Sequence, residues 1–287
     1  MYINDKYRRV AISLSITFLF VSLYFIMFQI GFKPTPPFWV PLNQKVNNII
    51  GLCLLLALLP LTTIQYFGDR WLESVDRNVP RLLQDVTEDV KSGQSLIISL
   101  EENAKEDYGS ISKPLQKTLT RFKFTSDLTG SMKWLGEKLQ RPVAKQMAAI
   151  FVEAYEAGGK VTEILQDSVQ LFKSIDENRV NRNTKTRPYV IVVYVSLGIF
   201  LVISWIIFNR FLIPMNIHTQ TITITYGFNM KLLEMDYYRS ILFWSAVTES
   251  LIGGLIAGKI STGKTLSGLV HSEVMMSMTL FFFAFLM

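Results

Sequence analysis

Eight residues, Gly258 to Thr265, read GKISTGKT and satisfy G-x-x-x-x-G-K-[ST], the spacing of a phosphate-binding loop. Such a loop works when a strand delivers it and a helix follows. Backbone N–H groups then surround the phosphates, and the Ser/Thr hydroxyl meets magnesium. Here the preceding residues, SAVTESLIGGLIAG, form an apolar run, and those that follow, LSGLVHSEVMM, begin another. No later apolar strand ends in an aspartate that would complete a magnesium site. The stretch is therefore read as a tight turn between two membrane spans, its glycines making the reversal and its lysines staying on the inner face. No cofactor is expected.

Other chemistry-bearing residues are sparse. Glu249 lies in the middle of an apolar run, where a carboxyl group is costly and marks either function or an interhelical partner. Ser245, Thr248 and Ser250 are close enough in sequence to hydrogen-bond it. His218 and His271 have no cysteine or carboxylate cluster beside them, so no metal site is expected, and Glu273 offers His271 a local polar contact. Cys53, the one cysteine, sits in an apolar run as a packing residue and excludes a disulfide framework. Gly254 and Gly258 form a small-xxx-small face that lets another helix approach. No Ser/His/Asp or Cys/His set is arguable, so the chain is not expected to be an enzyme.

The elements that carry these residues follow from the hydropathy pattern. Of the 287 residues 49% are hydrophobic, and the apolar ones gather in runs. Val10 to Phe32, Val46 to Gly68 and Pro188 to Asn209 contain no charge, and Ser240 to Gly258 carries only Glu249. Each matches the roughly 20 residues that cross a bilayer. Val274 to Met287 reaches that length if its helix starts near Leu266. These runs predict an all-α integral membrane protein with about five transmembrane helices. The first is read as a retained signal anchor, because no small-x-small cleavage site follows it before Pro34. Arginines and lysines flank the runs unevenly. Lys6, Arg8 and Arg9 precede the first, Arg70, Arg77 and Arg81 follow the second, Arg179 to Arg187 precede the third, and Lys259 and Lys264 follow the fourth. The positive-inside rule puts the N-terminus and residues 69–187 in the cytoplasm and the C-terminus outside. Tyr7, Trp39 and Trp71 fall near the expected interfaces. The organisation is thus 1–68 with two spans, 69–187 as a cytoplasmic domain, and 188–287 with three spans, an outer loop (211–239) and a short inner loop (259–269).

Residues 69–187 have apolar residues at helical spacing: Leu82, Leu83, Val86 and Val90, then Ile150, Tyr155, Val161, Ile164, Leu165, Val169 and Phe172. Start and stop signals divide them into about six helices. Ser92-Gly93 ends the first, and Pro80 is expected to kink it or start a new one. Ser95 caps the second and Tyr108-Gly109-Ser110 closes it. The third runs from Ser112 to Phe124. Ser126 or Asp127 caps the fourth, Arg141-Pro142 opens the fifth, Gly158-Gly159 ends it, and the sixth runs on towards the third span. Charge is partitioned: seven acidic against two basic residues from Gln84 to Tyr108, eight basic against two acidic from Gly109 to Ile150. Lys113, Lys117 and Arg121 share one helix face, and Lys123, Lys133, Lys138, Arg141 and Lys145 extend the positive region. Such a field suits an acidic protein partner or anionic membrane lipid. Few aromatics interleave it, so nucleic acid is not an expected partner.

Two stretches carry a family resemblance. VEAYEAGGKVTEILQDSVQLF (152–172) is similar to the helix–Gly–helix element of the type II secretion F-domain family. ILFWSAVTESLIGGLIAGKISTGKTLSGLVH (241–271) resembles the end of that family's archaeal branch, whose Gly-Ala-Gly-Lys turn precedes a Gly-Leu-x-His start of the last helix. The resemblance covers residue 46 onwards, and the single helical domain departs from the two that archaeal platforms typically carry. It implies a relative of the tight-adherence pilus proteins, half of a split pair, or a homo-oligomer. It also implies a non-enzymatic platform for a type IV pilus, archaellum or type II secretion machine in the cell membrane. Such a platform receives a cytoplasmic secretion ATPase on its basic face and helps lift pilin- or archaellin-like subunits from the bilayer. The residues themselves leave two rivals open. One is a transporter using Glu249; the other is a membrane receptor sensing through the outer loop.

Overall fold

The computed structural model describes residues 5–30, 41, 43–215 and 235–287, and among them there are helices and turns but no strand. The helices are α1 (Asp5–Ile30), α2 (Gln44–Lys91), α3 (Leu96–Asn103), α4 (Ser112–Thr125), α5 (Leu128–Leu139), α6 (Pro142–Ala157), α7 (Val161–Ile206), α8 (Met235–Thr262) and α9 (Leu269–Phe285). The chain forms two compact units. Phe67–Thr184 makes up one, and the residues up to Tyr66 together with Lys185–Met287 make up the other.

In the first unit six helical segments surround one core. Leu82, Leu83, Val86, Leu100, Ile111, Leu115, Met132, Leu135, Phe151 and Leu165 are fully buried. The stop and start signals explain most boundaries. α2 ends at Lys91, and Gly93 follows at φ 102°, a left-handed value that glycine adopts without strain. Ser95 caps α3 by accepting from the Ile98 N–H, Asp127 caps α5 by accepting from the Gly130 N–H, and Pro142 takes the first turn of α6. Ser126 is the left-handed residue that closes α4 rather than a cap of α5.

Two expectations are corrected here, and one is narrowed. Of the two alternatives at Pro80, a kink or a new helix, no new helix starts there, and α2 runs on through the proline. A proline deletes one helical hydrogen bond, but Val75, Val79, Leu82 and Leu83 are buried on both sides of it and hold the helix in place. α3 stops at Asn103, five residues before Tyr108, because that tyrosine turns inward and is 1% exposed. Tyr155 is 48% exposed rather than part of the inner stripe; Ala154 takes the inward position in the last full turn of α6. Trp71 is partly buried and packs against this core.

The second unit is the membrane-spanning part of an all-α membrane protein. Four stretches are long and apolar enough to cross a bilayer: α2, the helical run that includes α7, α8, and α9 with its lead-in from Leu266. The helix of the first expected span, α1, includes the apolar stretch Ile12–Val21 among its described side chains. Tyr7 and Trp39 lie outside the described side chains. Large apolar residues such as Ile191, Val192 and Phe281 face outward, as a lipid solvent permits. Phe243, Ala246, Val247, Met275, Met276 and Phe283 form the inner cluster, with Phe243 and Phe283 edge-to-face at 5.3 Å. The helix containing α7 does not stop at Asn209. It continues through a π-helical turn, Ile207–Leu212, to Met215, shortening the loop expected from Phe211. Residues 216–234 of that loop, His218 among them, lie outside the described residues.

Candidate docking surface and intramembrane sites

The basic residues of the first unit do not form one uniform face. Lys113, Lys117 and Arg121 are exposed along α4 at four-residue spacing and make no ion pair among the described residues. Phe124, which the charge pattern did not single out, is 86% exposed at the end of the same helix. Eleven residues on from Lys113, at about 100° per residue, it returns to within about 20° of that lysine, so the row carries an aromatic end. Lys123 points elsewhere and pairs with Glu101 on α3 at 3.2 Å.

Arg141 departs most from the expected docking set. Its Nε donates to Asp76 Oδ1 at 2.7 Å and its guanidinium also grips Oδ2, a two-pronged pair between the start of α6 and α2. With Asp76 only 10% exposed, the pair serves the fold and is not presented to a partner. Lys133 and Lys145 open onto a groove of about 510 Å³ between α5 and α6, which they share with Glu137, Glu153 and Glu156. That groove is of mixed charge. It forms because Gly136 lets α5 approach the α6 backbone; a Cβ there would stand 3.1 Å from Lys145 Cα. Lys138 is exposed near the end of α5.

The acidic stretch contains a network that the sequence did not reveal. The Tyr108 hydroxyl lies 2.6 Å from both Asp85 Oδ2 and Asn103 Oδ1 and gives its one proton to either. Asn103 Nδ2 donates to Asp89 Oδ2 at 2.6 Å, and Ser99 Oγ donates to the same oxygen at 2.9 Å. Arg81 stands over the Tyr108 ring at 5.2 Å and reaches Asp85 at 3.7 Å. Burial, then the hydrogen bond and charge of Asp85, push the Tyr108 phenol well above its ordinary pKa. Two of the acidic residues thereby tie α2 to α3 and the following turn. Among the described residues no group of three His, Cys, Asp or Glu side chains could hold a metal ion.

In the membrane unit α8 and α9 pack through their small residues. A Cβ on Gly254 would overlap the backbone of Ser272, and one on Gly258 would overlap that of Gly268. Ser272 Oγ donates to the Leu251 carbonyl at 2.9 Å, and Ser250 and Thr279 share a hydrogen bond at 2.8 Å. The phosphate-loop match dissolves in this geometry. Gly258 to Thr262 belong to α8, so their N–H groups are helical donors, and Lys259 and Lys264 are exposed around the turn at Gly263. Cys53 is a free, half-buried thiol on α2.

His271 pairs with Tyr194 on α7, Nδ1 to hydroxyl at 2.9 Å, rather than with Glu273. Glu249 accepts from Ser196 on α7 at 3.0 Å, not from its sequence neighbours. Thr248 and Ser250 instead donate to the carbonyls of Trp244 and Ala246 within α8. Asn47, also unforeseen, is buried where α2 meets α8. It donates to Ser240 Oγ at 2.9 Å and accepts from Trp244 Nε1 at 3.1 Å. Pairs separated by 50 to 200 positions leave no local spacing to find. The usable signal is a polar side chain inside an apolar run.

Residues 81–208 match the family model described as type II secretion system (T2SS), protein F. An uncharacterized protein of Methanocaldococcus jannaschii is 23% identical over 234 residues, covering 81% of this chain and 37% of that relative. The chain thus spans little more than a third of that relative's length. No solved structure matches the chain.

Proposed function

We propose, from the match of residues 81–208 to the family model described as type II secretion system (T2SS), protein F, that the chain is a non-enzymatic membrane platform of a secretion, pilus or archaellum machine. Its helical unit, on the cytoplasmic side, receives a secretion ATPase, and its spans act on pilin- or archaellin-like subunits held in the cell membrane. The observation that carries this reading is the α4 row. Lys113, Lys117 and Arg121 are exposed and without an ion pair among the described residues, with Phe124 beside them, on a helix that the family model covers. Cations in a row speed and orient the approach of an acidic surface, while a desolvated aromatic anchor supplies most of the affinity. Lys133, Lys138 and Lys145 are exposed on α5 and α6; Lys123 and Arg141 are spent on ion pairs.

Exchanging Lys113, Lys117 and Arg121 together for glutamate should weaken co-purification of the full chain with its secretion ATPase by about tenfold or more at low salt. Phe124→Ala should weaken it at any salt concentration. Retained binding in both variants refutes the assignment. The transporter reading rests on Glu249 alone, and among the described residues no basic side chain lines the groove beside it. Unchanged solute flux in Glu249→Gln, with filament assembly lost, separates the two. The receptor reading rests on the outer loop, most of which lies outside the described residues.

A further inference from the structure

The first unit carries a pocket of about 360 Å³ between α2, the start of α6 and α7. Three arginines line it, Arg141, Arg179 and Arg182, against two aspartates, Asp76 and Asp176. The aspartates are already answered. Arg141 grips Asp76, and Arg179 Nη2 donates to Asp176, one turn earlier on α7. What is left over is positive. Arg179 Nη1 is buried and has no hydrogen-bond partner among the described residues. The exposed Arg182 lies three residues on, along the same side of the helix, and lines the same pocket. A buried donor left unmet costs stability until an acceptor reaches it.

This chemistry selects a phosphate. A guanidinium is a planar fork of donors that matches phosphate oxygens, and two of them can share one such group. At about 360 Å³ the pocket has the size of a small-molecule site and not of a groove for a partner's helix. Pro80 and Val143 give it an apolar wall, suited to the glycerol carbons of a headgroup. The chain itself keeps the pocket close to lipid. α2 is continuous from the end of its apolar run at Gly68 to Asp76, and α7 from Arg182 to Pro188, where its own run begins. Eight and six residues of helix rise roughly 12 and 9 Å. The headgroup layer extends roughly 5–8 Å beyond the hydrocarbon, so the reach of an arginine side chain closes the remaining gap. Lys185 and Arg187 continue the positive charge along that interval.

We propose that this pocket binds the phosphate of an anionic membrane lipid, with Arg179 and Arg182 as its donors and Arg141 neutralising Asp76 beside it. The inference is independent of the platform reading and needs only that α2 and α7 cross the bilayer.

The test uses the full chain in nanodiscs of phosphatidylglycerol and phosphatidylcholine in equal parts. A phosphatidylglycerol analogue with a photoreactive headgroup should label the unmodified chain within residues 175–182 or 141–143. Native mass spectrometry of the released chain should find phosphatidylglycerol retained over phosphatidylcholine. Arg179→Gln should lower that retention about fivefold, and Arg179→Gln with Arg182→Gln about twentyfold. Arg179→Lys, which keeps the charge but not the fork, should lower it at least about twofold. Arg77→Gln is the control, because Arg77 follows Asp76 on α2, pairs with Glu73 and does not line the pocket. It should leave retention unchanged. Equal loss in Arg77→Gln, or none in Arg179→Lys, assigns the effect to diffuse charge and overturns the proposal. Headgroup labelling confined to other residues overturns it on the parent chain alone, whatever the variants do to folding. Inorganic phosphate that removes both the label and the retained lipid marks a free-anion site. Loss of the secretion ATPase in Arg179→Gln with lipid retention intact marks a protein site. Either result also overturns the proposal.

Discussion

Replacing Arg141 by alanine removes two donors from Asp76, a carboxylate that is 10% exposed, while Lys117 is exposed and makes no ion pair among the described residues. The two substitutions should therefore separate. Arg141→Ala should cost about 2 kcal/mol, read as a lower urea midpoint of the detergent-solubilised chain. Lys117→Ala should leave the midpoint unchanged. Tyr108 offers a pH signature at the same level. Its folded-state pKa lies above the unfolded value. Its contribution is thus complete below the ordinary tyrosine range near pH 10 and is lost as pH rises through the folded value. Alkaline unfolding should show this loss, and Tyr108→Phe, which keeps the ring under Arg81, should flatten it. A spectroscopic titration in which no tyrosine of the folded chain resists ionisation would contradict the network.

Among elements, the α8–α9 hairpin has the least room. Gly258 meets the backbone of Gly268, and backbone cannot swing aside as a long side chain can. Gly258→Val should destabilise the hairpin by about 2–3 kcal/mol, read as lower thermal stability in detergent and earlier proteolysis at the 259–269 turn. Gly198 on α7, where a Cβ would meet nothing, is the control. Loss of stability at both positions would mean that helix propensity, not packing, set the result. Element boundaries were largely legible in advance, because caps and left-handed residues act within a few positions of themselves. Ser95, Asp127, Pro142 and Gly93 show this. The end of α3 was not, because burial of Tyr108, five residues on, overrode the local preference there.

For the molecule as a whole, the proposed topology makes a labelling prediction. Cysteines introduced at Lys117 on α4 and at Lys264 in the α8–α9 turn should react with an impermeant maleimide only after cells are opened, with Cys53 replaced to remove its thiol. Reaction of either in intact cells would reverse the orientation drawn from the arginine and lysine distribution. The two helical units are linked by α2 and α7, each a continuous helix with residues in both.

Hydropathy runs and helical spacing determined by themselves that this is an all-helical membrane chain with a polar bundle between its spans. Both signals are sums over many residues, and the cost of placing charge in lipid is large enough to survive any detail of packing. Charge counting also located the basic region. Tertiary structure alone decided which of those cations are available. Arg141 closes on Asp76, and Lys123 on Glu101, across gaps in sequence that no periodicity encodes. It likewise decided that GKISTGKT is the end of a helix and that Glu249 faces a groove with Ser196. An ion pair or a hydrogen bond depends on a few ångströms between atoms that the chain order leaves far apart, and only folding sets that distance.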